Sequence, residues 1–145
     1  KEDSLPDEGL AIGKARIART GRHATVVTYS AMVHESLRAA ADLANEGYEI
    51  EVIDLRSVKP IDSDTVLASV ARTGRLLVVQ EAVSVAGFGA EIAATVAERA
   101  HKSLKAPVTR LGAPRAPISY SFPLEQMVCV TPEMIVESAK AMMRA

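Results

Sequence analysis

Glu81 is the first side chain here that demands a chemical explanation. It closes the run Arg75-Leu76-Leu77-Val78-Val79-Gln80-Glu81, and a small-residue loop then leads to Gly87-Phe88-Gly89-Ala90-Glu91-Ile92. A carboxylate at the end of an apolar strand must be hydrogen-bonded, paired with a cation or protonated. Glu81 is therefore expected to be a structural acceptor whose loss costs about 1–3 kcal/mol. The two glycines suggest a dinucleotide fingerprint, but the third glycine is missing and no Gly-Lys-Ser/Thr follows, so neither a Rossmann signature nor a P-loop is formed. They are expected to serve a close loop-to-helix approach. His23, His34 and His101 lie on separate elements without zinc spacing, and Ser30, Ser84 and Ser121 lack a nucleophile elbow. Cys129, between Val128 and Val130, reads as a small buried apolar residue. Arg110 and Arg115 flank an irregular, proline-bearing segment, where Arg115 is expected to stay solvated. No catalytic, cofactor-binding or metal-binding residue emerges, and the chain reads as a scaffold.

The elements that carry these residues alternate. Residues 1–11 mix Lys, Glu, Asp, Pro and Gly without periodicity and read as a linker before a domain over 12–145. Ala15, Ile17 and Ala18 suggest a short strand, a turn at 20–23 follows, and Ala24–Tyr29 is a second strand; the spacing suits an antiparallel hairpin. Val33–Asn45 repeats at helical spacing, with Gly47 placed to cap it. Glu49–Leu55 predicts a parallel strand, and Asp62 or Ser63 can cap a helix that stops before Gly74. Leu76–Val79 is the expected central strand, buried on both faces, with Glu81 at its end. Ala90–His101 should be helical, and Ala106–Leu111 should be an edge strand beginning near proline. Thr131-Pro132-Glu133 should open a last helix through Met142, whereas 112–130 shows no clear period. The order ββαβαβαβα gives an α/β fold with helices on both faces of the sheet.

Composition narrows the function classes. The 145 residues suffice for one domain and one core. Aromatics make up only 3%, so aliphatic side chains must do the packing. A net charge of −1 offers no reason to expect nucleic acid or an anionic membrane as partner. No apolar run approaches the roughly 20 residues that span a bilayer, and the amino end lacks a signal-peptide core. A single cysteine rules out an internal disulfide and suits a reducing compartment; the cytoplasm, or the mitochondrial matrix in a eukaryote, is the expected location.

Four motifs in fixed order, Thr25–Ser30, Glu51–Asp62, Gly74–Glu81 and Gly87–Ile92, together resemble the carboxyl-terminal transketolase-type domain. The nearest likeness is to the beta subunit of the pyruvate, acetoin and branched-chain 2-oxo acid dehydrogenase decarboxylating component, over about residues 12 to 144. The resemblance implies a three-layer α/β/α domain with a five-stranded mixed sheet in the order 1-3-2-4-5, first strand antiparallel. It also implies that thiamin diphosphate and magnesium belong to the intact enzyme and that none is held by this chain. The implied partners are an alpha subunit, a second beta subunit and, in some complexes, the acyltransferase core. Relatives often carry Gly-x-Asp-x-Pro-x-Pro after the fifth strand; here Gly112-Ala113-Pro114-Arg115-Ala116-Pro117 lacks the acidic residue, which leaves the 2-oxo acid open.

The expected function is therefore a carboxyl-terminal assembly and partner-docking domain, inactive by itself. The alternative is a free-standing α/β small-molecule binding or regulatory module. The interface candidates are Val83, Val85, Phe88 and Arg115, because an apolar loop at the strand ends has little reason to face water permanently.

Overall fold

A computed structural model describes residues 11–144. The strands are β1 (Arg16–Arg19), β2 (Ala24–Thr28), β3 (Ile50–Asp54), β4 (Leu76–Val83) and β5 (Thr109–Ala113). The helices are α1 (Met32–Asn45), α2 (Ser63–Thr73), α3 (Gly89–Ala100), the short α4 (Phe122–Gln126) and α5 (Pro132–Arg144), with a 3-10 turn at His101–Ser103. The strands form one sheet in the order β1-β3-β2-β4-β5, with β1 antiparallel and the other pairings parallel. This is the three-layer α/β/α arrangement and strand order that the resemblance implied. The linker expected over 1–11 lies, apart from Ala11, outside the described residues.

Why β2 sits in the middle follows from its composition. All five of its residues, Ala-Thr-Val-Val-Thr, are buried, so both edges need a hydrogen-bonding neighbour and both faces need a helix. β3 and β4 supply the edges in register, Val26 opposite Val52 on one side and opposite Leu77 on the other. Alternation divides the core in two. Ala24, Val26, Val52, Leu77 and Val79 pack under α1 and α5, whereas Val27, Ile53, Leu76 and Val78 pack under α2 and α3. The step from β2 to β3 travels one way under α1; the steps to β4 and β5 travel the other way under α2 and α3. Direction and face reverse together, which keeps one crossover hand throughout.

The hairpin expected between the first two strands does not form. β1 pairs with β3, Ile17 opposite Ile53. Its Arg-Ile-Ala-Arg sequence is charged and half-exposed, as suits an edge, and could not occupy a position beside the wholly buried β2. The connection crosses the start of β3, where the N–H groups of Arg22 and His23 both donate to Glu49 O at 2.9 Å. Gly21 lies so close to the β3 backbone that a Cβ would collide with Glu51 N and the Ile50 carbonyl. The fifth strand is an edge strand as expected, but it runs from Thr109 to Ala113 and not from Ala106. Segment 112–130, which shows no period in sequence, holds the end of β5 and the single-turn α4.

The helix ends are closed by local chemistry. Asp62 caps α2, accepting from Thr65 N (3.2 Å) and Thr65 Oγ1 (2.8 Å), and it also accepts from Ala15 N (3.1 Å), which ties the amino-terminal segment down. Burial of Asp62 pushes its carboxyl up, but these bonds from Ala15 and Thr65, with the charge of Lys14, outweigh burial and hold it below the usual range. Gly74 ends α2 in the left-handed region at φ 74°, as the sequence position predicts.

At the amino ends of β2 and β3 lies a polar cluster that sequence reasoning missed. Glu51 is 1% exposed. Arg72 Nη2 meets both of its oxygens at 2.6 and 2.5 Å, and Ser69 Oγ donates to Oε1 at 2.5 Å. Ser69 has one hydroxyl hydrogen, so Thr25 must donate to Ser69 (2.6 Å), and Thr73 in turn to Thr25 (2.7 Å). A one-way chain of hydroxyls thus ends on the buried carboxylate, every member satisfied.

Candidate interface at the carboxyl ends of the strands

In a doubly wound sheet, ligands usually enter where neighbouring crossovers leave in opposite directions, here between the carboxyl ends of β2 and β4. Backbone strain collects at these ends. Ser30 after β2, Arg56 after β3 and Ala86 after β4 all adopt positive φ, at 57°, 57° and 58°. Two rings meet at this crevice. Tyr29 and Phe88 meet edge to face, with centroids 6.0 Å apart at 79°, and both pack onto the α2/α3 side of the core. Burial, then the nearby Glu81 charge, raises the Tyr29 hydroxyl above its ordinary range.

Glu81 requires a correction. β4 runs on to Val83, so Glu81 is within the strand, and it is exposed with no hydrogen-bond or ion-pair partner among the described residues. The buried polar residue at this end is its neighbour Gln80, 2% exposed. Gln80 Oε1 accepts from Gly89 N at 2.6 Å, capping α3 from a distance, while Nε2 donates to Val83 O (2.7 Å) and Ala82 O (3.3 Å). The two glycines of the motif make room for that amide. A Cβ on Gly89 would stand 2.6 Å from Gln80 Oε1, one on Gly87 would overlap Gln80 Nε2, and one on Gly112 would come within 3.1 Å of Gln80 Cγ. The close loop-to-helix approach is real, and its centre is a side chain. A Gln immediately before the strand-end carboxylate and followed by Gly-x-Gly was the available signal.

Of the four interface candidates, Val83 and Val85 are exposed, at 37% and 61%. Arg115 is exposed on the loop after β5. Phe88 is half-buried with its ring against Tyr29. Val85, Arg115, Met127 and Met134 share a cavity of about 380 Å³, which brings the loop after β4 together with segment 112–130. Arg110 Nη1 braces that junction by donating to Ser84 O at 2.8 Å. In segment 112–130 Ile118, Tyr120, Phe122 and Met127 are also exposed, at 76%, 107%, 67% and 78%. Cys129 belongs to this surface and is exposed, against the expectation that it would be buried: only Val130 of its Val-Cys-Val context reaches the core. Among the described residues no group of three or more His, Cys, Asp and Glu side chains is placed to hold a metal ion, and no helix is long and apolar enough to cross a membrane.

Comparison with known proteins bears on this face. Residues 13–135 match the family model described as transketolase, C-terminal domain. The chain is 47% identical over 142 residues to pyruvate dehydrogenase E1 component subunit beta of Staphylococcus epidermidis, covering 96% of this chain and 43% of that protein. Against the Staphylococcus aureus protein of the same name it is 50% identical over 113 residues, covering 77% of this chain and 35% of that one. It thus spans less than half the length of these curated relatives. Among solved structures, a split-gene transketolase described as an inactive beta4 tetramer superposes with a TM-score of 0.84 at 25% identity, covering 99% of this chain and 46% of that one. A 2-oxoglutarate:ferredoxin oxidoreductase from Magnetococcus marinus shares the fold at a TM-score of 0.60 and 14% identity, over 90% of this chain and 19% of that one. Sequence and fold agree, and the chain belongs to the transketolase C-terminal domain family.

Proposed function

We propose that this chain is the carboxyl-terminal assembly and docking domain of the beta subunit of a thiamin-diphosphate-dependent 2-oxo acid dehydrogenase, of pyruvate dehydrogenase type. The observation that carries the reading is the set of large apolar side chains left exposed in β4 and the loop after it and in segment 112–130: Val83, Val85, Ile118, Tyr120, Phe122 and Met127. A monomer has no use for so many large apolar side chains in water, and patches of this kind mark protein interfaces. The partners are the alpha subunit and a second beta subunit, with the acyltransferase core in assembled complexes, in the cytoplasm of a bacterial cell. The likeness to beta subunits at 47–50% identity supports this, as does a structural relative described as a beta4 tetramer.

On this reading no residue of the chain is assigned to thiamin diphosphate or magnesium, and Tyr29 and Phe88 meet ring to ring where the fold's ligands usually enter. The cofactor belongs to the remainder of the intact enzyme, and no step of its chemistry is assigned to residues here. What these residues do is hold a surface in shape: Gln80 fixes the loop after β4, and Arg110 joins it to the loop after β5.

The test uses the intact beta polypeptide that carries this domain, co-expressed with its alpha subunit. A Val85→Asp, Met127→Asp double substitution should leave the thermal midpoint of the 145-residue chain close to wild type. It should also prevent assembly of the full-length subunits in sedimentation velocity. Normal assembly of the doubly substituted protein would end the reading. Calorimetric titration of the isolated chain with thiamin diphosphate and magnesium should be flat; saturable micromolar binding would overturn it equally.

A further inference from the structure

We infer that the cleft at the opposite, amino-terminal edge of the sheet is a binding site for a small oxyanion, a carboxylate or phosphate group. This inference does not depend on the assembly reading. The cleft has a volume of about 230 Å³ and is lined by His23, Gly47, Tyr48, Arg75 and Met143. Its polar side chains come from three connections: His23 precedes β2, Tyr48 follows α1, and Arg75 precedes β4. None of the lining residues is acidic.

Arg75 is the anchor. Its side chain is half-buried, and its Nε is sealed from solvent with no hydrogen-bond partner. A buried N–H without an acceptor is costly, and a guanidinium is built to grip an oxyanion through parallel donors. The carboxylates that flank Tyr48 in the chain cannot serve, because each already holds another cation. Glu46 pairs with Lys140 at 2.5 Å, and Glu49 pairs with Arg19 at 3.6 Å. Arg19 also has an unpartnered Nε, but its guanidinium is committed to Glu49. Arg75 itself has no carboxylate partner among the described residues.

His23 adds a second donor by a locked tautomer. Its Nδ1 accepts the Glu49 N–H at 2.7 Å, so the ring proton must reside on Nε2. Tyr48 stands edge-on to that imidazole, 6.4 Å between centroids, which fixes the ring plane. At the end of α1, Leu43 O accepts from Glu46 N and Tyr48 N, and Ala44 O accepts from Gly47 N, which turns these two carbonyls away from a ligand. At about 230 Å³ the cleft lies below the roughly 300–1,000 Å³ of drug-sized sites, which suits a phosphate or a short carboxylate.

The experiment titrates the 145-residue chain with inorganic phosphate and, separately, with acetate, at constant ionic strength set by sodium chloride. It follows the Glu49 amide resonance and the thermal midpoint. One of the two anions should give a saturable shift with a Kd of about 1 mM or tighter and raise the midpoint. The anion that does so distinguishes a phosphate from a carboxylate site. Arg75→Gln should abolish saturation, and Arg75→Lys, which keeps the charge but loses the fork, should weaken binding about tenfold. If Arg75→Gln fails to fold, the lysine variant carries the comparison. Linear, non-saturating shifts with both anions, or equal saturation in wild type and the Arg75 variants, would overturn the site.

Discussion

The two edges of the sheet treat a glutamate in opposite ways. At the amino edge Glu51 is sealed from water and answered by Arg72, Ser69 and, through Ser69, by Thr25 and Thr73. At the carboxyl edge Glu81 lies near Tyr29, faces solvent and has no hydrogen-bond or ion-pair partner among the described residues. The Glu51 cluster at the first edge is closed and satisfied. The second has positive-φ residues at three strand ends and a run of exposed apolar side chains. A buried, fully paired carboxylate thus marks one edge, and an exposed one among exposed apolar side chains marks the other.

The comparison breaks most readily at Arg72. Arg72→Ala would leave the Glu51 carboxylate buried without a cation, and should cost about 3–5 kcal/mol by denaturant titration. Glu51→Gln should cost less, about 1–3 kcal/mol, because the Arg72 side chain is 55% exposed and can return to water. Equal losses in the two variants would mean that the pair is solvated and the amino edge is not closed.

Next comes Gln80. Gln80→Ala removes the acceptor for the Gly89 amide and both loop contacts, with an expected loss of about 1–3 kcal/mol. Amide exchange should quicken in the loop after β4 and in the first turn of α3. If α5 or β2 amides quicken to the same degree, Gln80 is a general core residue and not the brace of that loop.

Asp62 sharpens the contrast through pH. Its folded pKa lies below the unfolded value, so the folded state binds fewer protons in the acidic range. The stability it contributes is present above the unfolded value, near 3.9, and is lost as pH falls through the folded value. Asp62→Asn should cost about 1 kcal/mol at neutral pH, and the gap to wild type should close as the pH drops below about 4. A gap that persists in acid would point to the lost cap geometry and not to charge.

The smallest effect belongs to Glu81. Glu81→Ala should change the unfolding free energy by no more than about 0.5 kcal/mol, as for an exposed side chain without partners. A loss of 1 kcal/mol or more would restore the structural role that its sequence position suggested.

Local patterns carried much of this fold. The apolar runs of β2, β3 and β4, the helical spacing of α1 and α3, the Asp62 cap and the Gly74 stop all depend on residues a few positions apart, and each is where its pattern placed it. The family resemblance added the strand order. Polar pairing was not legible, because Glu51, Ser69 and Thr25 are 18 to 44 residues apart and each looks unremarkable in its own stretch. The same holds for Gln80 and Gly112, and for the cavity that joins Val85 to Met127. Glu81 and Cys129 were misjudged for a related reason: a one-dimensional context of apolar neighbours does not say which side of the backbone faces the core. By itself the sequence determined most of the strands and helices, but it pointed to Leu76–Val79 as the central strand, a place that β2 holds because it is buried along its whole length. Only tertiary structure decided which carboxylate is buried, which glycines yield to a side chain and which apolar residues are left facing water, because those outcomes depend on what the fold brings alongside.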